Sequence, residues 1–170
     1  MPNDPLEDEH GNVTWLEESA FKADLPLVEV LAKFWKELKK LLPATELHVV
    51  DPYLLDAGGA DAEYYAGNVV SLLNPALRQV EKVVFVYAKA REGIQPLIEA
   101  DAHLVNSSAS IVFRQGTKMH PRYLIADRSR VLLMEFSFNR IGNTFGTVSQ
   151  VTDPEDLASI LDELERLDPV

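Results

Sequence analysis

The sequence predicts an α/β fold in which a single mixed β-sheet is flanked by helices. Two observations support this prediction: strand and helix patterns alternate over the first part of the chain, and several strand patterns then precede a C-terminal helix. Alternation indicates parallel strands joined by crossover helices, and the later run indicates an antiparallel extension of the sheet. A chain of 170 residues is the size of one domain, and without cysteine it contains no disulfides or thiolate metal sites.

The first predicted elements are a helix and a buried strand. Residues 27–42 place apolar side chains at helical spacing, with lysines near the end and Pro43 as the stop. The β-branched and apolar run that follows predicts a strand ending at Asp51, before a loop with glycines at 58–59. His48 alternates within this strand, so we expect it to have a structural role.

A second helix, strand and helix follow. Residues 60–79 have helical spacing that is interrupted near Pro75, and residues 82–89 are typical of a second buried strand. Residues 91–104 then predict a helix that is either kinked at Pro96 or begins there.

From Ser108 onward the hydrophobic period becomes that of strands. The segments ASIVFRQ, HPRYLIAD, RVLLMEFS and GTVSQV each predict one strand. The last helix, PEDLASILDELERL, has Asp153 as its N-cap and Pro154 at its first position.

Negative charge is concentrated at the two ends of the chain. Residues 1–31 contain eight acids and one base, and residues 153–170 contain seven acids and one base, so the middle is net +2 although the whole chain is −11. We predict an acidic arm over residues 1–26, loosely attached or binding a partner, and one domain over residues 27–170. Because the arm lacks an apolar leader and no apolar run has membrane-spanning length, a soluble cytoplasmic protein is expected.

The stretch from His120 to Asn139 has a density of polar residues that is typical of a site. On a regular strand His120 and Arg122 would share one face, and the next strand would place three polar residues on one face: Glu135, Ser137 and Asn139. Residues 110–142 have a local charge of +4. This charge predicts an anion site, or else an ordinary solvated surface.

The same residues resemble a known motif. His120, Arg122 and Asp127 have the spacing of the HKD motif of the phospholipase D superfamily, with arginine in place of lysine. Ser137 and Asn139 are similar to the serine and asparagine that accompany this motif in the superfamily. The resemblance implies a phospholipase D-like fold over about residues 27–167.

A second resemblance is to the phospholipase D-like domain at the C-terminus of MIT-domain proteins. That group has a strand ending in an Asp-Pro-Tyr triplet, as at residues 51–53, and a later histidine and arginine, as at His120 and Arg122. Its members resemble the enzymes in fold, but they are regarded as modules that bind lipid headgroups and partner proteins.

The resemblance to the enzymes implies a metal-independent phosphodiesterase that needs no cofactor. His120 would form a phosphohistidine, Arg122 and Asn139 would hold the phosphate oxygens, and Ser137 would assist. Because the chain has one motif, the second histidine would come from the other subunit of a homodimer. The local arginines favour nucleic acid as the substrate.

Two carboxylates are candidates for orienting the imidazole of His120. Asp127 is one, although a seven-residue interval puts it on the opposite face of a regular strand, and a turn aspartate is the alternative. Glu135 is the other, and its alternative is an exposed strand carboxylate paired with Arg130 or Arg140.

Arginine at position 122 favours phosphate binding over turnover. A guanidinium binds phosphate through two nitrogens, but it is longer and flatter than the lysine ammonium and misplaces oxygens set for lysine. The alternative function is therefore a catalytically inactive module that binds phosphate, a lipid headgroup or a protein, with the acidic termini binding partners. A third alternative is an assembly role in which Phe34 and Trp35 of the first helix bind a partner.

Overall fold

The structure is a computed structural model that describes residues 18–170 and the backbone of two short strands before them. These strands, β1 (Pro5–Glu7) and β2 (Val13–Trp15), pair with each other antiparallel. The remainder of the predicted arm before residue 18 lies outside the described residues. No helix in the described part of the chain is long and apolar enough to cross a membrane.

Residues 18–170 form further strands and helices, which we number in chain order. The strands are β3 (Glu18–Phe21), β4 (Glu46–Val50), β5 (Lys82–Tyr87), β6 (Ser110–Gln115), β7 (Arg122–Ala126), β8 (Arg130–Met134) and β9 (Gly146–Gln150). The helices are α1 (Leu27–Leu38), α2 (Ala62–Leu77), α3 (Ile94–Val105) and α4 (Pro154–Leu167), with short 3-10 turns at Lys39–Leu41 and Phe138–Arg140.

Strands β3 to β9 form a single mixed sheet, as the sequence predicts. Their order across the sheet is β3-β9-β8-β7-β4-β5-β6. Strands β4, β5 and β6 are parallel, because α2 and α3 carry the chain back between them, and the remaining pairs are antiparallel. The predicted α/β fold class is therefore confirmed.

Helices cover both faces of the sheet. Alternate residues of β5 enter two separate apolar clusters: Val83 and Phe85 pack with α1, α2 and α3, whereas Val84 and Val86 pack with α4. This alternation is the two-residue period of a strand that is buried on both faces.

The strand β3 extends the sheet beyond the predicted domain boundary. It pairs antiparallel with β9, and Phe21 is completely buried with its ring 5.3 Å from that of Phe136. Ser19 donates a hydrogen bond to the buried carboxylate of Glu37 at 2.5 Å. Residues 18–21 thus belong to the folded domain and not to a loose arm, because they bury an aromatic ring and cover an edge strand.

Helix α2 continues through Pro75, where the sequence predicts an interruption. A proline has no backbone N–H, so the carbonyl of Ser71, four residues earlier, loses its helical partner. The indole Nε1 of Trp35 donates to this carbonyl at 2.9 Å. Phe34 is buried beside it, so both aromatic residues stabilise the packing of α1 against the core and do not form a free docking surface.

A buried ionic cluster attaches the end of α4 to the sheet. His48 is fully buried in β4, and its Nε2 lies 2.8 Å from Oδ2 of Asp168. Arg114 and Arg128 contact the same carboxylate at 3.1 and 3.3 Å. His48 therefore has the structural position that the sequence predicts.

We expect His48 to make the protein less stable as the pH falls. Burial lowers the pKa of His48, although the hydrogen bond to Asp168 and the charge of Glu46 oppose this effect. In the unfolded chain His48 has its ordinary pKa of 6.5. When the pH falls below this value, the unfolded chain takes up a proton at His48 more readily than the folded chain does, so the free energy of unfolding decreases. Urea titrations over about pH 8 to 5, the range in which histidine titrates, should show that the free energy of unfolding falls more steeply with pH for the wild type than for His48→Gln. Equal slopes would contradict the prediction.

Candidate functional site

Three strand ends meet at one edge of the sheet and position the candidate site. Asp51 directly follows the last residue of β4, and Arg122 is the first residue of β7. Strands β4 and β8 run in the same direction and β7 runs between them in the opposite one, with Arg122 opposite Met134. The segment that leaves β8 therefore arrives beside Asp51 and Arg122.

A polar cleft of about 520 Å³ opens at this edge. It is lined by the loop after β4, the start of β7 and the turn after β8: Tyr53, Asp56, Gly58, Gly59, Arg122, Ser137, Asn139, Arg140 and Asn143. The carboxylate of Asp56 accepts a hydrogen bond from the backbone N–H of Gly58 at 2.9 Å. The two arginines of the lining favour an anionic ligand.

Asp51 connects two of the segments that line the cleft. Its side chain is fully buried and accepts hydrogen bonds from the backbone N–H groups of Tyr53 and Phe138 at 2.9 and 2.8 Å. Burial raises the pKa of Asp51, while these two bonds, the Ser137 hydroxyl and the charge of Arg122 act in the opposite direction. One carboxylate thus connects the loop after β4 with the turn after β8.

Arg122 is held by Ser137 and Tyr53. Its Nε donates to the Ser137 hydroxyl oxygen at 3.0 Å, and its guanidinium carbon lies 5.9 Å from the centre of the Tyr53 ring. The ammonium of Lys89 lies 5.6 Å from the same ring. Within the described residues the two terminal nitrogens of Arg122 have no hydrogen-bond acceptor, so they can bind a ligand oxygen pair.

The 3-10 turn after β8 supplies the opposite wall. Asn139 donates through Nδ2 to the backbone carbonyl of Asp56 at 3.0 Å, which ties the turn to the loop after β4. Arg140 is exposed, and among the described side chains its guanidinium has no partner. The site can therefore present a second free cation to an anion.

The structure brings together three of the residues that the sequence singles out, namely Arg122, Ser137 and Asn139. His120 does not line the cleft: it is exposed and lies two residues before β7 begins. The strand alternation that was expected to put His120 and Arg122 on one face does not extend to His120. Ser137 is 2% exposed and is held between Arg122 and Asp51, so it acts as a support for the arginine.

Asp127 lies at the opposite edge of the sheet, in the turn between β7 and β8. Its Oδ1 accepts hydrogen bonds from the N–H groups of Thr45 and Glu46, both at 2.9 Å, and Oδ2 pairs with Arg130 at 2.7 Å. The backbone bonds and the arginine lower the pKa of Asp127. This geometry is that of a turn aspartate, and it separates Asp127 from the cleft by the length of β7.

Glu135 is exposed and also lies outside the cleft lining. The expectation that it shares a strand face with Ser137 and Asn139 is wrong, because β8 ends at Met134 and the chain then turns into the 3-10 segment. Phe136 packs inward against Phe21, which leaves Glu135 facing solvent. Of its two expected partners, Arg130 and Arg140, the first pairs with Asp127 instead.

Several residues of the cleft are not identified as site residues by the sequence pattern. Arg140 and Asn143 line the cleft and Lys89 lies beside it over Tyr53, whereas Asp51 is predicted as a strand end and as part of the Asp-Pro-Tyr triplet. The one local feature of the sequence that could have indicated Arg140 as a site residue is its position next to Asn139 in a turn-forming segment. Among the side chains of residues 18–170, no three His, Asp or Glu residues are grouped closely enough to hold a metal ion.

Comparisons with known proteins place the fold. No protein-family model matches the sequence, and no curated protein matches it. NucT from Helicobacter pylori, which has a phospholipase D-like fold, superimposes with a TM-score of 0.52 at 11% identity, covering 88% of this chain and 94% of NucT. TrmBL2, an archaeal chromatin protein, gives a TM-score of 0.44 at 12% identity over 93% of this chain and 52% of its own, a likeness too distant to support an inference. The chain has the phospholipase D-like α/β fold.

Proposed function

We propose that this protein binds phosphate groups of phosphodiesters in the polar cleft. The arrangement of Asp51, Ser137 and Arg122 carries the proposal, because a buried carboxylate and a hydroxyl fix Nε and leave the outer nitrogens of the guanidinium for a ligand. A preorganised arginine loses little conformational entropy on binding, and its two parallel N–H groups match two phosphate oxygens.

Nucleic acid is the ligand class that the surrounding charge favours. Arg140 lines the cleft beside Arg122, Lys89 lies over Tyr53, and Arg91 donates to the carbonyl of Gly58 at 3.4 Å. Cations grouped around one cleft can contact the phosphates of a nucleic-acid strand. They form a local positive surface on a chain whose net charge is −11.

Hydrolysis is a second candidate function: His120 does not line the cleft, but it is exposed and lies two residues before Arg122, which does. By the resemblance to phospholipase D enzymes, a neutral His120 would attack phosphorus while the bond to the leaving oxygen breaks. The His120 of a second subunit would protonate that oxygen, and water would then cleave the phosphohistidine. An exposed side chain next to the start of β7 is accessible to a partner subunit, so this mechanism needs a homodimer.

One experiment tests binding and cleavage separately. The full chain is titrated into a fluorescein-labelled single-stranded oligonucleotide, and anisotropy is measured with and without inorganic phosphate and at rising salt. We expect saturable binding that phosphate competes for and that weakens as salt rises. No saturable binding at low salt would disprove the phosphate-binding function.

The cleavage arm uses the same oligonucleotide with EDTA present, together with the oligomeric state from light scattering. Product that depends on His120, lost in His120→Ala, would establish the phosphodiesterase. Binding without product would leave a phosphate-binding module without hydrolytic activity, and a strict monomer would contradict the two-histidine mechanism. In that case the acidic N-terminal segment before β3 and the acidic C-terminus are the segments that we propose for partner binding.

A further inference from the structure

A second pocket adjoins the phosphate cleft and shares two lining residues with it. It has a volume of about 200 Å³ and lies between α1, α2 and the turn after β8. Asn139 and Asn143 line both cavities. A group bound in the second pocket would therefore be a direct neighbour of a phosphate held by Arg122.

The lining of the second pocket combines apolar walls with amides. The apolar surface comes from both helices and the turn: Val30, Val69, Leu72, Ile141 and Leu27. Three carboxamides line the same space: Asn68, Asn139 and Asn143. Tyr64 lines it from α2 with 60% of its surface exposed, so its ring is available to a ligand.

The amides have hydrogen-bonding capacity left over. The side chains of Asn68 and Asn143 make no hydrogen bond within the described residues, and Asn139 uses only its Nδ2, leaving Oδ1 free. An acyl chain in this pocket would desolvate these groups without offering partners. A flat ring with apolar faces and a polar edge would satisfy both the walls and the amides.

We infer that the second pocket receives an unstacked nucleobase attached to the phosphate in the cleft, which makes single-stranded nucleic acid the ligand. The inference rests on the proposed phosphate-binding function. Asparagine side chains pair with the donors and acceptors on base edges, and a tyrosine ring stacks on a base face. In a duplex the bases are stacked and paired, so they do not reach a side pocket.

The test compares ligands that share a phosphate backbone but differ in their bases. Anisotropy is measured with the full chain and three labelled probes: a single-stranded oligonucleotide, an abasic strand of the same length and a duplex. We expect the single strand to bind at least about tenfold more tightly than the abasic strand, since stacking contributes about 1–3 kcal/mol per base. The duplex should bind no better than the abasic strand.

Variants of the second pocket locate the effect. Tyr64→Ala/Asn68→Ala should reduce binding of the single strand to the level of the abasic strand without changing abasic binding, because neither residue lines the phosphate cleft. Phe145→Ala is the matched control, an aromatic residue with 65% exposure that lines neither cavity, and it should bind as wild type. Circular dichroism verifies folding, and Tyr64→Ala alone serves if the double variant unfolds.

Three results would overturn the inference. Equal affinity of the wild type for the single strand and the abasic strand would exclude a base site while leaving phosphate binding intact. Binding of neither strand would disprove the proposed function as well. Binding to phosphatidylglycerol vesicles that Tyr64→Ala/Asn68→Ala abolishes, with oligonucleotide binding unchanged, would assign the pocket to a lipid chain.

Discussion

Replacing Arg122 with alanine should weaken binding of a labelled oligonucleotide by about a hundredfold, corresponding to roughly 3 kcal/mol for a charged two-point contact. The physical reason is that Arg122 lines the cleft with Nε fixed by Ser137, so only its terminal nitrogens change partners on binding. Arg122→Lys keeps the charge but loses the parallel N–H pair, and we expect about a tenfold loss. Anisotropy titration at fixed salt measures all three proteins.

A matched arginine controls for net charge. Arg130 lies at the other edge of the sheet, paired with Asp127 at 2.7 Å, and Arg130→Ala removes the same charge without touching the cleft. It should bind within about twofold of wild type. If Arg122→Ala and Arg130→Ala weakened binding equally, the interaction would be a general charge effect and the cleft would not be the site.

Replacing Asp51 with alanine should lower the free energy of unfolding by about 3 kcal/mol, a large share of a typical domain's stability. The substitution leaves the buried N–H groups of Tyr53 and Phe138 without acceptors and removes the partner of the Ser137 hydroxyl. The two unpaired buried N–H groups destabilise the fold by more than is gained when the carboxylate no longer has to be buried. Urea unfolding followed by circular dichroism measures the effect.

Asp127→Ala is the control for this prediction. Asp127 also accepts two backbone N–H bonds, from Thr45 and Glu46, but it is exposed, so water can replace the lost acceptor. We expect a loss of about 1 kcal/mol. A loss for Asp51→Ala no larger than that for Asp127→Ala would show that burial of Asp51 does not stabilise the site. Asp51→Asn, which keeps one acceptor, should fall between them.

The proposed phosphate site and the fold are coupled through Asp51. The carboxylate links the loop after β4 to the turn after β8, and Ser137 in that turn orients Arg122. Asp51→Asn is therefore expected to weaken oligonucleotide binding as well as stability, whereas Asp127→Ala should affect stability alone. This difference separates a positioning role from a purely structural one.

The order of elements could be predicted from the sequence, because hydrophobic period is a local property. The buried runs that end at Asp51 and that span residues 82–89, together with the period change after Ser108, predict the parallel core and the antiparallel extension. Element ends were less predictable. The interruption expected at Pro75 does not occur, because the indole of Trp35, forty residues earlier, satisfies the carbonyl that the proline leaves free.

The site was only partly predictable, because a local sequence pattern does not show contacts between distant residues. Arg122, Ser137 and Asn139 could be selected from their residue types and spacing, although the strand periodicity used to group them fails after Met134. His120, Asp127 and Glu135 were selected by the same pattern, and the structure places all three outside the cleft lining.

The sequence by itself determined the α/β fold class, the concentration of basic residues in the middle of the chain and the candidate arginine. Only the tertiary structure decided that Asp51 and Arg122 both contact Ser137 and that Arg140 and Asn143 line the cleft. It also decided that a second pocket shares lining residues with the cleft. Asp51 lies 71 positions before Arg122 and 92 positions before Asn143 in the chain. Hydrophobic period reports which face of an element is buried, but long-range strand pairing sets which loops meet at one edge of the sheet.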